Sequence, residues 1–196
     1  MKIFKPKFEL GNLVEWKESR RYVIPEVMEV STPGGRFSRR ERDILPHMHY
    51  DVQSLCPDQN IYSNVRESDL RHSEYNRQDV AKFLDQFHKT EDAQKSLIDY
   101  ASSKGFRAVG IGYRTGEFII EPVGYNFVHL PISFIPVENE VRVFVRDAGI
   151  RHGDLNLTGA KMVVGLLESV NSWFQENCKQ ISSGSGDLGV FKGSKK

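Results

Sequence analysis

Short runs of alternating apolar and polar residues fill roughly the first third of the chain and predict β-strands. The first run puts Phe8, Leu10, Val14 and Trp16 on one predicted buried face, on either side of a Gly-Asn turn. The residues between the later runs are polar at 36–47, which predicts a long loop, and residues 66–70 predict one short helical turn. The predicted strands cover residues 8–16, 22–30, 50–55 and 61–65.

The apolar period changes to that of an amphipathic helix after the first third of the chain. Asn76 is a suitable N-cap for this helix, with Asp79 in its first turn. Thr90 has the same role for a second helix, which is expected to stop at Gly105. The residues spaced as on one helix face are Val80, Phe83, Leu84 and Phe87.

Four further strands and a last helix complete the pattern. The valines at 141, 143 and 145 should point to one side of the fourth strand, and Arg142, Phe144 and Arg146 to the other. This order of elements predicts an α+β domain with a mostly antiparallel sheet covered by helices. The predicted strands are 108–113, 118–121, 127–135 and 141–145, and the helix is 158–178.

The N-terminal pattern resembles KOW and other SH3-like barrels, in which a glycine turn launches the first long strand. The resemblance covers residues 6–72 and implies that these strands close into a small β-barrel. The residues that carry it are Phe8, Gly11, Asn12, Val14, Trp16, Tyr50, Val52, Tyr62, Val65, Asp69 and Leu70.

The predicted organisation is therefore an SH3-like (KOW-type) barrel at 1–74 and an α/β domain at 75–180. Residues 181–196 are rich in Ser, Gly and Lys, a composition typical of a flexible tail. In size and arrangement the chain is similar to the MotB proteins of T4-like phages. That resemblance implies a nucleoid- or transcription-associated protein that binds DNA non-specifically through its C-terminal domain and forms a homodimer. A phage protein of this kind would work in the host cytoplasm.

Charge limits how such a protein could bind nucleic acid. The chain has 27 basic and 26 acidic residues, with 12 of each before Asn76 and 15 basic against 14 acidic from there on. No overall field would attract a polyanion, so binding would depend on a local arrangement of cations. The two cysteines are in no metal-like spacing, and no apolar run approaches the length of a membrane span. We therefore expect a cytoplasmic protein with no membrane partner.

Two sets of cations are candidates for phosphate contact, because guanidinium groups are charged forks that match phosphate oxygens. One set lies in the predicted polar loop, where the alternative is a solvated loop paired with Glu41 and Asp43. The other lies in the second domain, where the arginines could instead pair with nearby acids and Phe144 could pack under a helix. The first set is Arg36, Arg39 and Arg40, and the second is Lys104, Arg107, Arg114, Arg142, Arg146, Arg151 and Lys161.

One spacing is typical of a metal site. His47, His49 and Asp51 would share one strand face, and imidazole with carboxylate suits zinc, iron or manganese. No orienting partner is evident for these ligands, and no nucleophile, glycine-rich phosphate loop or paired acid–base set has a recognisable form. We therefore predict no metal, no cofactor and no catalytic residues.

The leading hypothesis is a non-enzymatic, sequence-tolerant DNA-binding protein that contacts phosphates through Arg and Lys, with DNA preferred to RNA. The barrel would add a second contact or a protein dock. One alternative is a protein-interaction module that docks on transcription or translation machinery. Another is a metal-dependent hydrolase using His47, His49 and Asp51. Trp173, on the flank of the last helix, indicates either a dimer interface or core packing.

Overall fold

The structure is a computed structural model. It describes residues 5–18, 24–32, 36–38, 47–112, 116–124, 128–146, 149–150, 157–184 and 186–193. The chain divides into two compact units, Met1–Asp85 and Gln86–Lys196, whereas the sequence places the boundary at 74/75. The described residues contain two α-helices and two antiparallel sheets, which confirms the α+β class. No helix among them is long and apolar enough to cross a membrane.

The first unit is built on a six-stranded antiparallel sheet. A 3₁₀ turn at Glu67–Asp69 separates its last two strands and occupies the site of the predicted helical turn. Arg36–Ser38, predicted as part of a loop, is a short strand instead, because its backbone pairs with that of His47–His49. The strands are β1 (Leu13–Trp16), β2 (Val27–Val30), β3 (Arg36–Ser38), β4 (His47–Cys56), β5 (Ile61–Arg66) and β6 (Leu70–His72).

Pairing within this sheet runs in the order β6-β1-β2-β4-β5, and β3 pairs with the N-terminal end of β4. The sequence predicts that the sheet closes into a barrel. Among the described residues, no backbone pairing joins β5 to β6, so a closed barrel is not confirmed.

The core of the first unit forms around Tyr50, which is fully buried. Its hydroxyl donates to Glu67 Oε2 at 2.5 Å and accepts the backbone N–H of Lys7 at 3.0 Å. Leu10, predicted on the buried face, is 60 % exposed, because the chain turns at Gly11 (φ +83°) and β1 starts only at Leu13. The other buried members are Phe8, Val14, Met28, Val30, Val52, Val65 and Leu70.

One continuous helix, α1 (Arg77–Ser103), replaces the two helices that the sequence predicts. The cap at Asn76 is confirmed: its Oδ1 accepts the N–H groups of Gln78 and Asp79, at 2.8 and 3.1 Å. Thr90 is not a cap, since its hydroxyl donates to the Gln86 carbonyl one turn back, at 2.7 Å, as threonines inside helices do. The stop at Gly105 is confirmed by its left-handed φ of +81°.

The second unit is a seven-stranded antiparallel sheet in the order β12-β13-β10-β9-β8-β7, with β11 paired to β9. Its helix, α2 (Leu157–Asn177), lies within one residue of the predicted bounds. The strands are β7 (Phe106–Gly112), β8 (Glu117–Pro122), β9 (Val128–Val137), β10 (Glu140–Val145), β11 (Gly149–Ile150), β12 (Cys178–Gly184) and β13 (Gly186–Phe191).

The last two strands fall largely in the segment predicted as a flexible tail. Instead of a tail, β12 and β13 form a hairpin, and β13 pairs with β10 over four residue pairs from Arg142↔Val190 to Val145↔Asp187. Gly189, one of the glycines that make this segment resemble a linker, has a packing role. A Cβ built at Gly189 would lie 2.7 Å from Cζ of Phe174, so only glycine allows this approach of strand and helix.

Helices cover one face of the second sheet. Trp173, whose exposure the sequence left open, is fully buried there, and its Nε1 donates to Ser96 Oγ at 3.1 Å. Core packing therefore explains this tryptophan. The covered face and its helices contribute Ala93, Leu97, Ala101, Phe118, Ile120, Leu130, Ile132, Phe134, Val141, Val143, Val145, Leu166, Val170, Phe174 and Cys178.

Candidate nucleic-acid interface

The second sheet has a face opposite its helices, and β10 shows how the sequence builds it. Val141, Val143 and Val145 are buried in the core, and the residues between them are only partly buried. Arg142 and Phe144 therefore lie on the other face, as the alternation predicts. Exposed Val109 and Ile135, at 41 % and 44 %, lie on the same face. We call this surface the open face.

Arg142 lies in the middle of the open face. Its cross-strand neighbours are Ile135 on β9 and Val190 on β13, and Lys179 on β12 lies beyond Val190. Two strand spacings separate Arg142 from Lys179, about 10 Å between their Cα atoms. No acid lies in this row of four residues. The Nε of Arg142 is buried and has no hydrogen-bond partner among the described residues.

Phe144 lies next to Arg142 on the same face of β10. Its cross-strand neighbours are Ser133 and Leu188. The guanidinium of Arg146 lies 6.0 Å from the centre of the Phe144 ring. The surface therefore combines an aromatic ring with cations, a combination that nucleic-acid surfaces use for base stacking and phosphate contact.

Two arginines of the open face are paired with acids. Arg107 on β7 forms an ion pair with Glu121, which lies directly opposite it on β8 and is almost fully buried. Arg146 Nη2 lies 3.7 Å from Glu117 Oε1, and both side chains are about half exposed. Both charges are therefore paired within the protein. The Arg107 pair is in close contact with a buried acid, whereas the Arg146 pair is longer and more exposed to solvent. Arg142 and Lys179 form no ion pair within the described residues.

The structure places three of the predicted contact residues on the open face, namely Arg107, Arg142 and Arg146, but Arg107 on β7 lies three strands away from Arg142 on β10. Lys104 is exposed at the end of α1 with its Nζ 5.5 Å from the Tyr100 ring centre. Lys161 is exposed on α2, on the helical side of the sheet. For the remaining predicted contact residues, either the whole residue or its side chain lies outside the described part of the chain: Arg36, Arg39, Arg40, Arg114 and Arg151.

Sequence reasoning missed Leu188 and Val190, because the Ser- and Gly-rich composition around them is typical of a tail, and it missed Lys179, which lies between the predicted helix and that tail. A signal for them was present: Leu188 and Val190 alternate with smaller or polar residues, the pattern of a strand with one exposed face.

Of the metal-like spacing, the structure describes the side chains of His49 and Asp51. No group of three or more His, Cys, Asp or Glu side chains converges in the part of the chain that is described. Asp51 Oδ1 accepts the backbone N–H of Asn64 at 3.1 Å, which supports the β4–β5 hairpin. His49 is buried within the sheet, and the side chain of His47 lies outside the described residues.

The two thiols are poor candidates for nucleophiles. Burial raises the pKa of Cys56 and of Cys178 to about 12, so both are protonated at neutral pH. The thiolate is the reactive form of cysteine, and buried thiols of this kind are structural.

A groove of about 550 Å³ lies between α1 and α2. Its lining includes Asp92, Asp99 and Glu176 and one lysine, Lys95. This charge would repel a polyanion, so the groove is unsuited to nucleic acid and the open face remains the candidate surface.

Comparison of the chain with known protein families, with curated proteins and with solved structures found no match in any of the three.

Proposed function

We propose that this protein is a non-enzymatic, sequence-tolerant nucleic-acid-binding protein, with DNA as its ligand, and that the open face of the second sheet is its binding surface. The observation that carries this proposal is Arg142. It lies beside Phe144, is partly exposed, and has no acid in its row.

A phosphate is the ligand that suits this arginine. The Nε is closed to solvent, so a phosphate oxygen would accept from the terminal nitrogens of this partly exposed guanidinium. The guanidinium fork matches phosphate geometry, and Lys179 adds a second charge about 10 Å away. Phosphate contacts carry no base information, which gives sequence-tolerant binding.

The charge pattern also sets the expected salt dependence. If Arg142 and Lys179 each neutralise one phosphate, the log–log slope of affinity against salt should be about −1.4 for single strands or about −1.8 for duplex. This is a shallow slope, consistent with a net charge of +1 and no long-range field.

For the first unit, the proposal includes an SH3-like fold. Support comes from the strand order β6-β1-β2-β4-β5 and from the 3₁₀ turn between the last two strands, the arrangement that the resemblance to KOW-type barrels implies. Leu10 and Ile61, exposed at 60 % and 69 %, give this unit apolar surface for a protein dock.

The test is fluorescence anisotropy of the full chain with labelled DNA, single-stranded and duplex, across a salt titration. We expect Arg142→Gln and Lys179→Gln each to weaken binding and to reduce the slope by about 0.7–0.9. Lys161→Gln, which removes an exposed cation on the helical side, is the matched control and should change neither quantity.

Salt-insensitive binding, or a double variant at Arg142 and Lys179 that binds normally, would contradict the proposed surface. Absence of binding to either form of DNA at low salt would favour the protein-docking alternative.

A further inference from the structure

Resting on the proposed function, we infer that the ligand of the open face is single-stranded DNA, with a base stacked on Phe144 and the adjoining phosphates on Arg142 and Lys179. Duplex DNA would be a weaker, secondary ligand.

The first argument is the shape of the surface. The six strands that follow one another from β12 to β7 span about 24 Å, because adjacent strands are about 4.8 Å apart. The major groove of a duplex is about 12 Å wide and admits a helix or a two-stranded ribbon. A six-stranded face cannot enter it, so it could reach a duplex only along the backbone. Bases of a single strand are splayed and can lie on a sheet.

The second argument is the position of Phe144. The ring is half-buried in the middle of the sheet between Leu188 and Ser133, so it is held by neighbours on both sides. Arg146 approaches the ring to 6.0 Å and can add a cation–π contact to a stacked base. Base–aromatic stacking contributes about 5- to 140-fold in affinity per base. A duplex, whose bases are already stacked, gains nothing from this ring.

The third argument is the placement of charge around the ring. Arg142 lies two residues from Phe144 along β10, about 7 Å away, and Lys179 lies two strands further across the sheet. Glu140 is exposed on the same face beyond Arg142 and would repel a phosphate there. A strand crossing the sheet from Phe144 towards Lys179 meets both cations and avoids this acid.

The choice of DNA follows from what surrounds the ring. The neighbours of the Phe144–Arg142 pair are mainly apolar: Leu188, Val190 and Ile135. Burying a ribose 2′-hydroxyl against such side chains costs binding free energy, because the hydroxyl loses its hydrogen bonds to water. Deoxyribose has no 2′-hydroxyl and carries no such cost. These apolar neighbours of Phe144 and Arg142 therefore favour DNA over RNA.

The experiment compares the full chain bound to labelled oligothymidylate of about 12 nucleotides, its duplex with oligoadenylate, and oligouridylate, at low salt. We expect the single strand to bind at least about fivefold tighter than the duplex, with a slope near −0.7 per phosphate. Phe144→Leu, which keeps the residue apolar, should weaken single-strand binding by about 5- to 140-fold and change duplex binding by less than about twofold.

Phe144→Tyr keeps an aromatic ring and should retain single-strand affinity, which separates stacking from damage to the fold. Glu140→Gln should strengthen binding.

The outcomes distinguish this inference from the proposed function. Duplex binding as tight as single-strand binding, and still dependent on Arg142, would overturn the inference and leave the proposed function in place. Tight single-strand binding that Phe144→Leu does not weaken would overturn the stacking role. Oligouridylate bound more tightly than oligothymidylate would overturn the assignment to DNA, and no binding to any probe would overturn both proposals.

Discussion

The ring of Phe174 on α2 closes over the α-carbon of Gly189 on β13: a methyl group built on Gly189 would lie 2.7 Å from Cζ of that ring and 3.0 Å from the Lys179 carbonyl oxygen. This contact is where the terminal hairpin packs against the helical layer. The same hairpin carries Lys179, Leu188 and Val190 to the open face, so the candidate site depends on it.

Gly189→Ala should destabilise the protein, because its methyl group meets a buried ring and backbone that cannot both move away. We expect a loss of about 1–3 kcal/mol in the free energy of unfolding, measured by denaturant titration. Gly165→Ala is the matched control: it lies in α2 with no atom within 4 Å of the added methyl, and should stabilise the protein by about 0.5–1 kcal/mol. Equal effects of the two substitutions would contradict the tight contact at Gly189.

The continuity of α1 can be tested at its two proposed start sites. Asn76→Ala removes the acceptor of two backbone N–H groups and should destabilise the protein by about 1 kcal/mol. Thr90→Val keeps the shape of this buried side chain and removes only a bond to the carbonyl one turn back, inside the helix. Thermal unfolding of both variants should therefore show a loss for Asn76→Ala alone. A loss of similar size at Thr90 would indicate a second helix start.

The thiols should be protected in the native state. Both are buried, and burial raises the pKa of each to about 12. We expect Cys56 and Cys178 to react with a thiol-specific disulfide reagent at pH 8 only after denaturant is added, since the thiolate is the reactive species. In the folded Cys56→Ala variant the remaining thiol, Cys178, should react slowly, and in Cys178→Ala the same should hold for Cys56. Fast reaction of the folded protein would show that these sites open readily.

Stability should fall at alkaline pH, partly through Tyr50. Burial, followed by the hydrogen bond to Glu67, raises the pKa of its hydroxyl above 10 in the folded state. Its contribution is therefore fully present below pH 10, where both states are protonated, and is lost as the pH rises towards the folded pKa. The cysteines act in the same direction from about pH 9, because burial raises the pKa of each thiol.

Tyr50→Phe isolates this contribution. The variant should lose about 1–3 kcal/mol at neutral pH, because the buried backbone N–H of Phe8 loses its acceptor and Glu67 loses the Tyr50 donor, whereas the N–H of Lys7 still donates to Glu67. It should also show a shallower decline above pH 10 than the native protein. The measurement is the free energy of unfolding as a function of pH, and an unchanged decline would contradict a raised Tyr50 pKa.

The sequence was most informative where the signal is local. The period-2 alternation in β10 correctly put Val143 and Arg142 on opposite faces, although it left open which face is buried, and the Asn76 cap and the Gly105 stop bound α1. It was wrong at Thr90, because threonine serves equally as a cap and as a residue bonded within a helix. The structure chooses the second role: the side chain bonds to Gln86, and residues on either side continue one helix.

Local pattern could not identify pairings between distant segments. A Ser- and Gly-rich segment forms a strand only where another strand is available to pair with it. β13 is a strand because β10 and β12 provide its hydrogen bonds. Whether an arginine is paired within the protein likewise depends on distant residues. Arg107 is paired with Glu121 across the sheet, whereas Arg142 has no acid in its row.

By itself, therefore, the sequence determined the α+β class and the two faces of β10, since side-chain direction follows from backbone period alone. Only the tertiary structure decided that Lys179 joins Arg142 and that Arg107 and Arg146 are paired with acids. The reason is physical: alternation needs no partner, whereas strand register and the pairing of charges are set by residues far away along the chain.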